Sequence, residues 1–413
     1  MDIGDPQNLG LDPARLGRIA GWMQSYVDRR RYAGASVLVA RQGREVLAHA
    51  CGQRNIEAGL PFTRDTLARI YSMTKPITSV AVMTLVERGL FPLDAPVSDF
   101  IPAFDDMQAL VPGATRLDQV APCATPTIHQ LLTHTSGLTY SFNDNLVAEA
   151  MAEDKLDFGP GRRTLETVTD QLAALPLVFA PGQRWEYSVS IDILGRVVEI
   201  VSGRSLDRFF AEEIFAPTGM TGTAFRVPPG TGDRFAALYT PLDGDPMSVD
   251  APTRGADPLN LSDAPDDSRY HTTQCFSGGG GLVGTIDDYM RFAEMLRRGG
   301  EANGHRILSP ATLDFMMRNH LRGEIAEMGP TSFAEQPMQG TGFGLGGSVV
   351  LDPARARTPG SVGDFSWGGM ASTYFWIDRA RQLSAVFFTQ LAPSSSYPSR
   401  AELKALVHGA MVA

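Results

Sequence analysis

Ser72 and Lys75 are the residues whose types and spacing most directly suggest chemistry. They stand three apart in Ala68-Arg69-Ile70-Tyr71-Ser72-Met73-Thr74-Lys75-Pro76-Ile77-Thr78, where a loop or strand end is predicted to run into an apolar helix, Pro76 to about Arg88. Pro76 suits a first helical turn, and Gly89 stands where a left-handed cap ends a helix. Once that turn forms, residues three apart share a face, and a serine there sits in the positive end of the helix dipole, which favours a developing alkoxide. The lysine is the informative half. Of 36 basic residues only Lys75, Lys155 and Lys404 are lysines. Arginine does not deprotonate in a protein, whereas a desolvated lysine can act as a base. A serine cap followed by a surface lysine would give the same spacing, so other stretches must decide.

Two further clusters qualify. Pro181-Gly182-Gln183-Arg184-Trp185-Glu186-Tyr187-Ser188-Val189-Ser190 precedes a helix starting near Ile191. Most tyrosines in such loops only pack. A neighbouring ammonium, however, would favour the phenolate, so a Tyr187–Lys75 pair is a plausible general base for a serine. Phe365-Ser366-Trp367-Gly368-Gly369-Met370 falls inside a predicted C-terminal strand. Paired glycines there signal a bulge or a close backbone approach, and exposed N–H groups beside Ser72 could supply half an oxyanion hole.

Together, Ser72-Met73-Thr74-Lys75, Tyr187-Ser188-Val189 and Trp367-Gly368-Gly369 resemble the motifs of the serine β-lactamase/penicillin-binding-protein superfamily, and within it the class C β-lactamase-like carboxylesterases called family VIII esterases. Leu131-Leu132-Thr133-His134-Thr135-Ser136-Gly137-Leu138 and the Gly278–Gly284 stretch share the likeness, which runs from about residue 12 to 410. The resemblance implies that Ser72 is the acylated nucleophile, with Lys75 and Tyr187 sharing proton transfer. It implies an oxyanion hole from the backbone N–H groups of Ser72 and Met370, and a substrate pocket lined by Trp367, Gly368, Gly369 and Tyr140. The chain departs from the β-lactamases at Val189, where they usually have Asn, and at Trp367-Gly368-Gly369, where they usually have Lys-Thr-Gly. Val189 makes no side-chain hydrogen bond and Trp367 offers an apolar face with one donor. Polar β-lactam groups would then go unpaired, which favours neutral, short-chain carboxylic esters as the small-molecule substrate. An acyltransferase, a β-lactamase or D-amidase of the same architecture, and a non-catalytic penicillin-binding-like module are the alternatives.

Pro359-Gly360-Ser361-Val362-Gly363 nearly spells a nucleophile elbow, but a strand follows it and the only later histidine is His408. His134 lies in a helix-end turn, where a structural role is the commoner one. The seven histidines show no metal-ligand spacing, and no cofactor or metal is indicated.

The elements that must position these residues follow from periodicity. A helix is expected from Asp12-Pro13 to about Arg30, then a hairpin of Ala35–Arg41 and Arg44–Gly52 around Gln42-Gly43. Thr127–Thr135 reads as a short helix, and 143–219 as helical, including Leu165–Leu175, Ile191–Ser202 and Leu206–Phe215. Residues 220–275 read as a long surface excursion, Ser277–Gly281 as a tight turn, and Ile286–Arg298 and Pro310–Arg318 as helices. Phe343–Leu351, Phe365–Ile377 and Gln382–Gln390 read as strands, and Ala401–Met411 as a closing helix. The fold class is therefore α+β, with one antiparallel sheet built from both chain ends, flanked by helices, and an all-helical lobe from the middle. The expected division is 1–75 with 275–413, and 76–274, with the active site between them.

At 413 residues the chain exceeds what one core usually fills. Its net charge of −10, pI about 5.2 and lack of a long basic run exclude a phosphate-binding stripe, so neither nucleic acid nor membrane is an expected partner. Cys51, Cys123 and Cys275 are odd in number and far apart, which fits a reducing compartment. With no apolar leader at the start, a cytoplasmic location is expected; oligomeric state is left open.

Overall fold

The computed structural model describes residues 1–243 and 259–412. β1 (Gly34–Arg41) and β2 (Arg44–Asn55) form the expected hairpin. Gln42 and Gly43 both take positive φ, 52° and 77°, the pair of conformations a two-residue turn between twisted strands demands. After β3 (Leu60–Pro61) the chain leaves this sheet and returns near its other end as β4 (Thr341–Phe343), β5 (Ser348–Val350), β6 (Phe365–Gly368), β7 (Tyr374–Asp378) and β8 (Leu383–Thr389). The eight strands run in the order β4-β5-β6-β7-β8-β1-β2-β3, with β8 antiparallel to β1 in the register Val37↔Phe387. The sheet is thus assembled from both chain ends.

Five helices bear on the site: α1 (Arg18–Asp28), α2 (Thr74–Glu87), α3 (Ser190–Ser202), α4 (Ile286–Arg297) and α5 (Ser399–Gly409). The central strands β1, β7 and β8 are buried on both faces, so they read as continuous apolar runs. Side chains alternate between two clusters, Leu38, Phe375, Val386 and Phe388 on one side and Val37, Val39, Trp376 and Phe387 on the other. The second cluster is closed by the terminal helices through Ile19, Met23, Leu403 and Val407. On the first face α4 packs Tyr289 against Phe375 at a 5.0 Å ring separation. That same cluster runs on into α2 and α3.

α2 is buried from Thr74 to Leu85. A helix apolar on every side belongs in a core, and burying Ile77, Val80, Val82 and Leu85 contributes about 1.5–3 kcal/mol each. This packing fixes the helix whose first turn carries Lys75.

The structure differs from the sequence reading in several places. The expected helix from Asp12-Pro13 to Arg30 is two, Pro13–Leu16 and Arg18–Asp28, and 143–219 is helical only in pieces, with loops at 155–164 and 174–189. The expected strand Phe365–Ile377 is two strands, because Gly369–Thr373 makes a turn. Ser372 takes φ 62° and donates to the Gly369 carbonyl at 3.1 Å, while the Gly369 N–H donates to Thr373 at 2.9 Å. Phe343–Leu351 likewise divides where Gly346 takes φ 92°. The excursion at 220–275 contains a short hairpin, Leu238–Thr240 with Asn260–Asp263, tied down by an ion pair of 2.6 Å between Asp263 and the fully buried Arg69. Part of that excursion, 244–258, lies outside the described residues. Among the described residues no helix is long and apolar enough to cross a membrane.

Candidate active site

Ser72 lies in a 3₁₀ turn, Tyr71–Met73, that leads into α2. Just upstream, Ala68–Arg69 pairs with Val283–Gly284, so the serine is held between the sheet side and the glycine run. Lys75 is one turn on and fully buried. Its Nζ donates to Ser72 Oγ at 3.2 Å, Tyr140 OH at 2.8 Å and the Gly279 carbonyl at 2.7 Å. Three acceptors match the three donors of an ammonium group.

Tyr187 comes to the same place differently from the simple pairing expected of it. Its ring face lies under Lys75 Nζ, 4.6 Å from the ring centroid, and its hydroxyl accepts a long contact of 3.4 Å from Trp367 Nε1. The phenol that bonds the ammonium is Tyr140, expected only to line the pocket. Burial, then the charge of Asp192, pushes Tyr140 well above the usual tyrosine range, so it stays a neutral phenol. The 139–145 and 186–190 loops are stitched together: Glu186 accepts from Thr139 at 2.6 Å and Asn145 at 2.9 Å, and Asn143 donates to the Tyr187 carbonyl at 2.9 Å.

Trp367 is the last residue but one of β6 and packs its ring on Phe333 at 5.9 Å. Gly368 and Gly369 answer the close approach that their sequence suggests. A Cβ on Gly369 would stand 2.3 Å from the Ile70 carbonyl oxygen, and one on Gly368 2.6 Å from Arg400 Nη2. The β6–β7 turn is thereby pressed against the chain entering Ser72. Met370, in that turn, borders the same cavity as Ser72. The cavity holds about 870 Å³, within the range of small-molecule sites, and aromatic rings of Tyr140, Phe142, Phe158, Tyr187, Phe333 and Trp367 dominate its walls.

A family model described as Beta-lactamase matches residues 19–409. The chain belongs to the β-lactamase family. It is 34% identical over 398 residues to Esterase EstB of Burkholderia gladioli, covering 94% of each chain. Protein Rv1367c of Mycobacterium tuberculosis is 36% identical over 375 residues, 89% of this chain and 88% of that one. Among solved structures, "EstCE1, a hydrolase with promiscuous acyltransferase activity" superposes with a TM-score of 0.77 at 30% identity, covering 96% of this chain and 99% of the other.

In this β-lactamase-family site Val189 is fully buried at the start of α3 and does not border the cavity, so that position offers substrate no polar group. His134 is also fully buried. Its Nδ1 bonds Ser188 Oγ at 3.0 Å, in a chain that continues through Ser190 to Ser136. Burial, then Lys75, holds it well below the usual histidine range, so it is neutral and structural in its contacts. Ser361 lies in the loop before β6 and does not border the cavity.

Sequence reasoning passed over Asp192. It sits in the first turn of α3, where an acidic residue is ordinary, and is 1% exposed. One carboxylate oxygen accepts from Ser277 Oγ at 2.5 Å and from the Gly279 N–H at 2.9 Å, so it holds the same residue whose carbonyl receives Lys75. Burial raises its pKa to about 6, against the opposing pull of Lys75. A Cβ on Gly279 would fall 2.2 Å from Asp192 Oδ2, which explains glycine there. Its signal was an acid five residues after Tyr187, between the apolar Ile191 and Ile193 at the head of the helix. Elsewhere Asp364, Asp378 and His408 offer ligand atoms within 4.8 Å of one another, but Lys404 Nζ lies 2.9 Å from Asp364 and takes the cation's place.

Proposed function

We propose that this protein is a serine carboxylesterase that forms an acyl-enzyme on Ser72. The single observation that carries the reading is the 3.2 Å contact from Lys75 Nζ to Ser72 Oγ at the floor of an aromatic cavity. Lys75 and Tyr187 share the proton transfer, taking the Ser72 proton as the oxygen attacks the ester carbonyl. Tyr140 and Gly279 hold the Lys75 ammonium, with Asp192 supplying nearby negative charge, so the buried groups favour the charge-separated transition state. The backbone N–H groups of Ser72 and Met370 take the carbonyl oxygen's charge. Tyr187, against both Lys75 and Trp367, passes the proton to the departing alkoxide. Water attacks the acyl-enzyme, Lys75 and Tyr187 relay its proton, and Ser72 is regenerated.

The substrates are neutral esters with a short acyl group, the cavity leaving room for a bulky apolar alcohol. The relative named Esterase EstB supports ester hydrolysis, and the promiscuous acyltransferase activity of EstCE1 favours one second reading, acyl transfer to an added alcohol. The test is steady-state hydrolysis of p-nitrophenyl butyrate against nitrocefin, with and without methanol as acceptor. The ester should be turned over far faster than the β-lactam, with methyl butyrate appearing at the expense of butyrate when methanol is present. Preference for nitrocefin would overturn the esterase reading.

A further inference from the structure

Arg400 and Glu335 face each other beside the cavity without completing an ion pair. Arg400, on α5, borders the cavity and is 7% exposed. Its Nη2 donates to the Gly369 carbonyl at 3.2 Å, and its Nε has no hydrogen-bond partner. The nearest carboxylate is Glu335, at 3.8 Å from that Nε, far longer than the ~2.7–2.9 Å of a formed charge-assisted bond. Neither Glu335 oxygen has a hydrogen-bond partner, although its side chain is only 10% exposed. Two buried, half-satisfied opposite charges beside a substrate cavity are costly, and a ligand that completed the fork would remove the cost.

Glu335 is held there by strain. It and Ala334 form the tip of a hairpin, Ser332–Phe333 with Gln336–Pro337, and take φ 61° and 46°. That turn favours Asn-Gly, so an Ala-Glu pair holds it in strained, left-handed backbone. The hairpin belongs to the site: Phe333 packs on Tyr187 at 4.8 Å and on Trp367 at 5.9 Å.

We propose that Glu335 is an internal stand-in for a substrate carboxylate. It balances Arg400 and so restricts the site to neutral esters, and its neutralisation turns Arg400 into a subsite for esters that carry a free carboxylate. The other titratable groups around the pair are Tyr32, Tyr374 and Tyr397. Burial outweighs the pull of Arg400 and raises Glu335 to about 7. Below that pH the acid is neutral and the guanidinium is left unbalanced, so carboxylate binding strengthens as pH falls.

The inference rests on the esterase reading for its first assay only. Wild type, Glu335→Gln and the Glu335→Gln/Arg400→Gln double variant are compared on monomethyl adipate against dimethyl adipate, and on 3-acetoxybenzoate against phenyl acetate. The two pairs place the carboxylate in the acyl and in the alcohol half. Glu335→Gln should raise the ratio of anionic to neutral kcat/KM by at least about tenfold for one pair, and the double variant should return it to the wild-type value. An unchanged ratio, or a rise that survives in the double variant, overturns the proposal. Thermal-shift titration with adipate needs no turnover: adipate should bind wild type more tightly at about pH 6 than at about pH 8, and Glu335→Gln equally at both. A flat wild-type profile overturns the proposal even if the variants fail to fold. Hydrolysis of none of the four esters with this adipate profile intact would refute the esterase reading alone.

Discussion

Asp192→Asn separates what the buried carboxylate does for the fold from what it does for the reaction. Burial raises its pKa from 3.8 to about 6. At ~1.4 kcal/mol per pH unit, the ionised form costs the folded state about 3 kcal/mol relative to the neutral form. The sign follows from the direction. An acid raised on folding destabilises in full above its folded pKa, and the cost fades as pH falls from about 6 through 3.8, below which both states are protonated. Asparagine keeps an acceptor for Ser277 and Gly279 but carries no charge. The variant should therefore be more stable than wild type at neutral pH, by up to about 3 kcal/mol, with a gain roughly halved near pH 5. Acylation should nevertheless slow by at least about a hundredfold, because the ammonium of Lys75 loses its buried counter-charge. Urea unfolding across this pH range and the nitrophenol burst of each protein measure the two effects. A variant destabilised equally at pH 7 and pH 5, or one that acylates at the wild-type rate, would refute the reasoning.

Other perturbations bear on neighbouring contacts. Tyr140→Phe deletes the acceptor 2.8 Å from Lys75 Nζ and leaves a buried donor unpaired, so the burst rate should fall by roughly 10–100-fold while urea unfolding shifts by only about 1–3 kcal/mol. Gly279→Ala drives a methyl into Asp192 and displaces the carbonyl that receives Lys75. It should abolish the burst with the far-ultraviolet circular dichroism spectrum unchanged. Gly369→Ala forces the β6–β7 turn away from Ile70, and should cost about 1–3 kcal/mol in urea unfolding along with most of the activity.

Residues whose chemistry is written into local spacing were the legible ones. Ser72 and Lys75 meet because one helical turn brings them together, and the terminal strands are recognisable because their apolar runs end in turn residues. The paired glycines after Trp367 correctly announced a close approach, though not its partners, Ile70 and Arg400. What stayed hidden depends on tertiary contact. Tyr140 follows a conspicuous motif, yet nothing local indicates that its hydroxyl, rather than that of Tyr187, reaches Lys75. Asp192 was masked by a position where an acid is ordinary, and Glu335 by a hairpin too short to show periodicity. The break in Phe365–Ile377 was missed because Ser372 adopts a conformation that its residue type does not advertise.

The central claim, an acyl-enzyme on Ser72, is tested most directly by intact mass after brief incubation with p-nitrophenyl butyrate and, separately, a serine-reactive phosphonate. Wild type, Ser72→Ala and Ser361→Ala are run side by side. Wild type and Ser361→Ala should gain the mass of one butyryl or one phosphonyl group, and Ser72→Ala neither. Adduct on Ser72→Ala together with its loss in Ser361→Ala would contradict the account, as would the absence of adduct on all three.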